Sequence, residues 1–411
     1  MNVGLIHYNY PPVVGGVEFV VQGQAREFAR HGHAVRVIAG SGKSGDRQIA
    51  CRIIKKMDAH HPSVSRVERD LRRGKVTDAF PRLQSVLEAE LRSAILGLDL
   101  VLVHNVMTMH FNLALTAALW NLALETGGTT RWVFWTHDLA LLNPDYRLPA
   151  PGRFPWSLLK SHHPSARHVA VSHLRRRQLS KLMGARPESV AVIPNGIDAR
   201  SLLDLDPLVQ WLCSKQKYFE QDVILFCPTR ILRRKNLEFG IGIVAALKKR
   251  GTKATLLLTG AADPYNPASG EYRRRIQTLI RRKRLRSEVV LIADRFPVGL
   301  QQLRGLYRIS DALLMTSRQE GFGLPVLEAG LFGKPVICPR SPPFTELAGR
   351  TAIFFEPNDT PDAAAKRIIQ SLSRDRGRTE FKRVIRNHSW QAVWNKHLAK
   401  LVKGTRQNTG R

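Results

Sequence analysis

The sequence predicts an α/β protein built from two doubly wound parallel sheets. Short apolar runs alternate with helical patterns from one end of the chain to the other, which is typical of βαβ units. A turn-rich connector, 193–198, separates two such series. The length of 411 residues also favours two domains of about 150–200 residues over one core.

The first series predicts six buried strands and one less regular region. These strands are Val3–His7, Val35–Ala39, Leu100–His104, Trp132–Thr136, Val169–Ser172 and Val190–Ile193. The first crossover helix is predicted over Val17–Arg30, because His31-Gly32 closes it. Between residues 42 and 97 the periodicity blurs, and we expect one strand, Ile49–Ile54, and a basic helical insertion.

The second series predicts six more strands and sets the domain boundaries. Its strands are Val223–Cys227, Ala254–Thr259, Val289–Ala293, Ala312–Met315, Pro335–Cys338 and Ala352–Phe355, with helices that include Leu237–Arg250, Glu271–Leu285 and Leu324–Phe332. We expect an N-terminal domain over 1–198, a C-terminal domain over 199–386, and a segment, 387–411, whose helix packs towards the N-terminal domain before a frayed tail. Facing doubly wound domains would put their strand-end loops into a shared cleft.

The charge of the chain is strongly positive. Lys and Arg outnumber Asp and Glu by 64 to 33, a net charge of +31. Such an excess predicts attraction to phosphate-bearing substrates, acidic membrane surfaces or nucleic acid, with a solvated basic surface as the alternative. The most basic stretch is a predicted helix that carries Arg273, Arg274, Arg275, Arg281, Arg282, Lys283, Arg284 and Arg286.

Several patterns bear on the compartment. No window approaches the roughly 18–20 apolar residues of a membrane span, and the first residues run directly into a strand. The four cysteines, Cys51, Cys213, Cys227 and Cys338, form no CxxC pair and are expected to be reduced thiols. We expect a cytoplasmic protein, in contact at most with the inner face of the membrane.

The strongest chemical pattern lies at 317–329, after a predicted strand and at the start of a predicted helix. Gly321 and Gly323 permit unusual backbone conformations, and N–H groups at a helix N-terminus attract phosphate or sugar oxygens. Glu320 in the loop and Glu328 about one turn into the helix can each accept two hydroxyl donors. A tight strand–helix turn with an acid near the helix start explains these residues equally well.

With this segment the sequence resembles the retaining glycosyltransferases of family four, which have the GT-B fold of two Rossmann-like domains. Glu320 and Glu328, with seven residues between them, enclose Gly-Phe-Gly-Leu-Pro and resemble that family's paired-glutamate motif. Other segments are similar in order and spacing: Gly15-Gly16-Val17-Glu18, Thr136-His137-Asp138, Val171-Ser172, Ile193–Asp198, and Arg230 through Lys235-Asn236. The resemblance covers nearly the whole chain except 42–97 and the extreme C-terminus.

The resemblance implies the residues of a donor site. Contacts with the nucleotide-sugar would come from Gly15, Gly16, Arg230, Lys235, Glu320, Gly321, Phe322, Gly323, Leu324 and Glu328. Catalysis would use His137, Glu320, Arg230 and Lys235, with the two cations neutralising the diphosphate as it leaves. Without the resemblance, His137 is more typical of a structural hydrogen-bonding residue, and 230–235 of a solvated basic loop.

The implied reaction needs no cofactor besides its co-substrate. No HExxH and no spaced Cys/His set occurs, and His60-His61 and His162-His163 are expected at the surface, so we expect a metal-independent enzyme. GDP-mannose is slightly favoured as donor over UDP-glucose and UDP-N-acetylhexosamine. The acceptor would be a glycan, a glycolipid or a small anionic molecule, and no nucleic acid is expected. The alternatives are a nucleotide-sugar epimerase of the same fold and a non-catalytic protein that binds polyanions.

Overall fold

The chain forms two compact α/β units. The computed structural model describes residues 1–13, 15–260, 268–349 and 352–403. Unit 1 comprises Met1–Asp198 and the chain from His388 onward, and unit 2 comprises Ala199–Asn387. Each unit holds one parallel sheet, which confirms the predicted fold class.

Unit 1 contains a seven-stranded sheet in the order β3-β2-β1-β4-β5-β6-β7. Its strands are β1 (Asn2–Asn9), β2 (Ala34–Ser41), β3 (Ile49–Ile53), β4 (Leu100–His104), β5 (Arg131–Thr136), β6 (Ala166–Ala170) and β7 (Val190–Val192). Its main helices are α1 (Gly16–Arg30), α2 (Pro62–Arg72), α3 (Ala79–Ile95), α4 (Leu113–Thr126) and α5 (His173–Met183). All neighbouring strands pair in parallel, from Val3 beside Val35 to His168 beside Val190.

Unit 2 contains a six-stranded sheet in the order β10-β9-β8-β11-β12-β13. Its strands are β8 (Val223–Cys227), β9 (Ala254–Leu258), β10 (Val289–Leu291), β11 (Ala312–Leu314), β12 (Val336–Pro339) and β13 (Ile353–Phe355). Its helices are α6 (Ala199–Leu202), α7 (Pro207–Lys215), α8 (Leu237–Lys249), α9 (Ala268–Arg282), α10 (Leu300–Ile309), α11 (Leu324–Leu331), α12 (Phe344–Leu347), α13 (Pro361–Ser373) and α14 (Arg376–His388). The predicted strands are therefore found at their positions, with ends that differ by a few residues.

The central strands are buried on both faces, which explains their unbroken apolar sequences. Along β8, Val223 and Leu225 pack into one apolar cluster, while Ile224 and Phe226 pack into another on the opposite face. The same alternation holds on β4 in unit 1. Burial on both faces is the normal state of a parallel sheet covered by helices, and it makes the strand ends the accessible edges.

The region 42–97 contains β3, as predicted, followed by the two helices α2 and α3 rather than one insertion. Val64, Val67 and Leu71 of α2 are buried, so one face of this basic helix joins the core of unit 1. The insertion thus belongs to the folded domain.

The C-terminal segment packs on unit 1. After α14 come the short helices α15 (Trp390–Val393) and α16 (Ala399–Lys403), joined by a π-helical turn. A Cβ atom on Gly23 or Gly196 would lie within 2.5 Å of the Trp390 ring, so both glycines make room for this indole. Gly196 of the connector therefore has a packing role.

Two sequence expectations about individual residues are wrong. His163 is fully buried: its ring lies edge-on against Trp120, and its Nε2–H group donates a hydrogen bond to the Trp120 carbonyl at 3.1 Å. The basic helix α9 ends at Arg282 rather than near Leu285, since Arg284 takes a left-handed conformation at φ 54°. None of the helices in the described ranges is both long enough and apolar enough to cross a membrane.

Candidate active site

In unit 2 the strand order reverses between β8 and β11. These strands are neighbours, and the connections that follow them lead to strands on opposite sides, β9 after β8 and β12 after β11. Ligands of doubly wound sheets bind at such a switch point, outside the carboxyl ends of the strands. The loop after β8 carries Arg230 and Lys235, and the loop after β11 carries Glu320, so the predicted donor residues of this unit lie at its switch point.

Lys235 and Glu320 form an ion pair between these two loops. Lys235 Nζ donates to Glu320 Oε2 at 2.5 Å, and both side chains are largely buried, 11% and 13% exposed. Arg234 adds a second cation 3.6 Å from Glu320 Oε1. Burial opposes ionisation of Glu320, but the hydrogen bond and charge of Lys235, with Ser317 and Arg234, lower its pKa below the ordinary value.

Backbone contacts fix the two loops against each other. The Thr316 hydroxyl donates to the Lys235 carbonyl at 2.7 Å, and the Arg318 N–H donates to the Arg234 carbonyl at 2.8 Å. Arg234 also reaches the Gln319 carbonyl at 3.2 Å. Because these bonds involve main-chain atoms, the positions of Lys235 and Glu320 depend on the loop conformation as well as on their charges.

The start of α11 presents backbone and apolar surface. Gly323 precedes the helix with φ 102°, a conformation that glycine adopts far more readily than other residues. The first turn of a helix leaves N–H groups without intrahelical partners. Phe322 and Leu324 are exposed, at 53% and 61%, and a Cβ on Gly321 would meet no atom within 4 Å. This turn is therefore open to a ligand.

Glu328 is held by a residue that the sequence interpretation did not single out. The Tyr307 hydroxyl of α10 donates to Glu328 Oε2 at 2.7 Å and lies 3.3 Å from the Pro325 carbonyl. Burial, followed by the hydrogen bond to Glu328, raises the pKa of Tyr307, so the hydroxyl remains a donor. One oxygen of Glu328 is thereby engaged, and the side chain stays half-buried.

Two further loops of unit 2 differ in the exposure of their side chains. Arg230 is exposed in the loop after β8. The side chains of the 293–296 loop are partly held by the rest of unit 2, because Asp294 forms an ion pair with Arg273 of α9 and Phe296 is buried in the core.

In unit 1 the order reverses between β1 and β4, and Gly15 and Gly16 follow β1. A Cβ on Gly15 would lie 2.1 Å from a carboxylate oxygen of Glu18, so this glycine makes room for Glu18 to fold back. A Cβ on Gly16 would meet nothing within 4 Å, and Gly16 lines a cavity. Glu18 lies 3.6 Å from His7 Nε2.

His137 follows β5 and is 6% exposed. Its Nε2 lies 3.1 Å from His104 Nδ1, and its Nδ1 lies 3.4 Å from the Asn195 side-chain nitrogen. Burial, assisted by the charge of His7, lowers the pKa of His137 to about 3. The ring is therefore neutral at physiological pH and acts through hydrogen bonds. This agrees both with a residue that positions the substrate and with a residue that only stabilises the fold.

The sequence contains one Asp-x-Asp pair, Asp204 and Asp206, which the metal-free expectation passed over. Asp206 caps α7 by accepting from the Leu208 N–H at 2.8 Å, while Asp204 accepts from Arg308 at 3.0 Å. The two carboxylates therefore have separate partners. In the part of the chain that the structure describes, no three His, Cys, Asp or Glu side chains cluster as metal ligands would.

Comparison with known proteins defines the class. The chain matches two family models, "Glycosyltransferase Family 4" over residues 14–201 and "Glycosyl transferases group 1" over residues 213–388. Together they span most of the chain. The chain belongs to the family-four glycosyltransferases of the GT-B fold.

Individual relatives are distant. Mannosylglucosylglycerate synthase of Thermotoga maritima is 24% identical over 359 residues, 82% of this chain and 80% of that protein. D-inositol 3-phosphate glycosyltransferase of Jonesia denitrificans is 27% identical over 56% of this chain and 54% of its own length. Among solved structures, sucrose-phosphate synthase of Thermosynechococcus elongatus aligns over 98% of both chains at 18% identity, with a TM-score of 0.38.

Proposed function

We propose that this glycosyltransferase moves a hexosyl group from a nucleotide-sugar to an acceptor hydroxyl with retention of anomeric configuration. The observation that supports this most directly is the ion pair of Lys235 and Glu320 at the switch point of unit 2. Glu328 lies nearby in the sequence, about one turn into helix α11. These groups suit the parts of a nucleotide-sugar. The cation and the open helix N-terminus suit the diphosphate, and the two carboxylates suit hydroxyl groups of the hexose and the ribose.

In the proposed mechanism each residue acts on a different part of the donor. Lys235 and Arg230 stabilise the charge that develops on the diphosphate as the glycosidic bond breaks. Glu328 accepts hydrogen bonds from the ribose hydroxyls. Glu320 accepts from the hexose, and its ionised state is favoured by Lys235.

The leaving phosphate, on the same face as the acceptor, receives the acceptor proton, so no protein side chain serves as nucleophile. His137 is neutral and contributes a hydrogen bond that positions the transferred sugar. Two positioned cations make a divalent metal unnecessary in this scheme. We infer GDP-mannose as the preferred donor, with UDP-glucose and UDP-N-acetylhexosamine as the alternatives.

A turnover screen tests this function. The wild-type protein is incubated with GDP-mannose, UDP-glucose or UDP-N-acetylglucosamine, with and without EDTA, and in the presence of glucose or glucose 6-phosphate, whose hydroxyl groups, or water, can accept the hexosyl group. Release of the nucleoside diphosphate is measured. We expect release from one donor at a rate that EDTA leaves nearly unchanged. Release that depends strictly on added magnesium or manganese would contradict the metal-free scheme, and no release from any donor would contradict the transfer.

A further inference from the structure

A cavity of about 680 Å³ opens at the switch point of unit 1. This volume lies within the range of small-molecule sites, about 300–1,000 Å³. The cavity is lined by the end of β1, by the turn at Gly16 and by α2. The described residues that line the cavity all belong to unit 1, so we consider the chemistry of this unit alone.

Helix α2 presents a polar face to the cavity. Ser65, Glu68, Arg69 and Arg72 line it, at helical spacings of three and four residues that place them on one side of the helix. The buried Val64, Val67 and Leu71 lie on the side that joins the core. The fold therefore fixes the direction in which both arginines project.

Neither of the two cavity arginines forms a close ion pair within the described residues, although the charge of Arg72 is felt by Glu68. Neither Arg69 nor Arg72 has a carboxylate within 4 Å in the described part of the chain, and both are exposed. Many other arginines are ion-paired, for example Arg92 with Glu125 and Arg340 with Glu356. Guanidinium groups bind carboxylates and phosphates through paired N–H donors, so two such groups on one wall suit an anion.

The acidic residues of the cavity offset these cations only in part. Glu68 accepts a hydrogen bond from the Leu113 N–H at 3.3 Å, and burial raises the pKa of Glu68 to about 7 despite that bond and the charge of Arg72. Glu18 also lines the cavity, beside His7. The wall formed by α2 therefore carries a net positive charge near neutral pH.

Aromatic side chains also line the cavity. Phe111 lines the cavity and meets Tyr8 edge to face, with ring centroids 5.7 Å apart. His110 lines it as well, and its buried Nδ1 has no hydrogen-bond partner in the described residues. Aromatic faces accommodate the C–H groups of a sugar or polyol, while the polar atoms can bind its hydroxyls.

We propose that this cavity binds the acceptor, and that the acceptor carries a carboxylate or a phosphate held by Arg69 and Arg72. The inference rests on the proposed function, because it names the acceptor class of that same transfer. The polyol part of the acceptor lies against Phe111, and the anionic group lies towards α2. The source of the anion can be a small metabolite or a lipid-linked sugar phosphate, since both present the same group to the arginines.

Calorimetric titration in the absence of donor tests this assignment. The soluble probes are glucose 6-phosphate, glucuronate and uncharged glucose, and the lipid probe is polyprenyl glucosyl phosphate in detergent micelles. The variants are Arg69→Gln and Arg72→Gln. Arg66→Gln is the matched control, because Arg66 is exposed on the same helix but does not line the cavity. Thermal unfolding of each variant verifies that the fold is retained.

We expect an anionic probe to bind at least about tenfold more tightly than glucose, and each cavity variant to lose about that factor while the control binds as wild type. Dependence on the arginines with the lipid probe alone would support the site and assign the anion to a lipid. Equal binding of charged and neutral probes, no binding of any, or full binding by both variants would overturn the inference.

Donor turnover, measured in parallel, separates this inference from the proposed function. Turnover without arginine-dependent anion binding would support the proposed transferase function and contradict the proposal that the acceptor is anionic. Arginine-dependent binding without turnover of any donor would support the cavity as an anion site and contradict the transfer reaction.

Discussion

Lys235 donates a hydrogen bond to Glu320 at 2.5 Å and joins the loops that follow two neighbouring strands of unit 2. In the proposed mechanism the same ammonium group interacts with the donor diphosphate, so a bound donor shares it with Glu320. The contribution of Lys235 should then be largest when the diphosphate leaves and its negative charge grows.

The first prediction concerns this ammonium group. Lys235→Ala should lower kcat about a hundredfold, on the order of 3 kcal/mol of transition-state stabilisation, while donor affinity changes less. Steady-state kinetics with donor titration measures both. Arg233→Ala is the matched control, because Arg233 lies in the same loop but pairs with Glu271 at 3.2 Å. Losses of affinity and of kcat that are equal in size would contradict this role.

A second prediction concerns the ribose site. Glu328→Ala should weaken nucleotide binding by roughly 1–3 kcal/mol, because ribose hydroxyls lose a charged acceptor. Tyr307→Phe should act in the same direction by a smaller amount, since Tyr307 orients the carboxylate through a 2.7 Å bond. Glu346→Ala, an exposed carboxylate on α12, serves as control. Calorimetry that finds Glu328→Ala equal to wild type would rule out the assignment.

The third prediction is the protonation state of His137. Its pKa is lowered to about 3 by burial and by His7, so NMR should show a neutral ring down to at least pH 5. Between pH 6.5 and 3 the unfolded chain binds the proton that the folded chain excludes. This group therefore reduces stability as pH falls, by up to about 1.4 kcal/mol per pH unit in that window. A titration near pH 6.5 would contradict the buried, neutral assignment.

The sequence sufficed for the fold because most strands are buried on both faces and appear as uninterrupted apolar runs. β8, for instance, is found at the predicted bounds, Val223–Cys227. The region 42–97 was harder to interpret, because α2 buries only one narrow face and most of its other residues are charged. The spacing of Val64, Val67 and Leu71 was the signal that could have identified that helix.

The site could be predicted only in part. The sequence segments that contain Glu320, Lys235 and Glu328 are recognisable. Lys235 and Glu320 contact each other because strands β8 and β11, which precede their loops, are neighbours in the sheet. Tyr307 could not be found, because its hydrogen bond to Glu328 depends on how α10 packs beside α11. Arg69 and Arg72 have no motif around them, and only the shape of the cavity distinguishes them from other surface arginines.

A fourth prediction concerns the basic surface. Arg281, Arg282 and Arg284 at the end of α9 are exposed and lack ion pairs in the described part of the chain, whereas Arg273 and Arg275 are paired. If this surface contacts acidic lipid, the protein should sediment with vesicles that contain anionic lipid and not with zwitterionic ones. Each basic residue contributes about 1 kcal/mol, and the attraction fades within a Debye length.

The test variant is the triple change of Arg281, Arg282 and Arg284 to Gln, which removes the charges and keeps helix propensity at the two positions that lie within α9. Raising salt from about 0.05 M to about 0.5 M should release the wild-type protein. Absence of vesicle binding at low salt would refute a membrane role for the surface and leave a freely diffusing acceptor as the remaining source of the anion.

The stereochemistry of the transfer tests the central claim most directly. Proton NMR during turnover of the accepted donor follows the anomeric signal of the donor as it is replaced by that of the product. We expect the first-formed product of an α-linked donor such as GDP-mannose to carry an α linkage, with the Lys235→Ala variant giving the same product more slowly. A β-linked first product would contradict retention and, with it, the same-face mechanism assigned to Lys235 and Glu320.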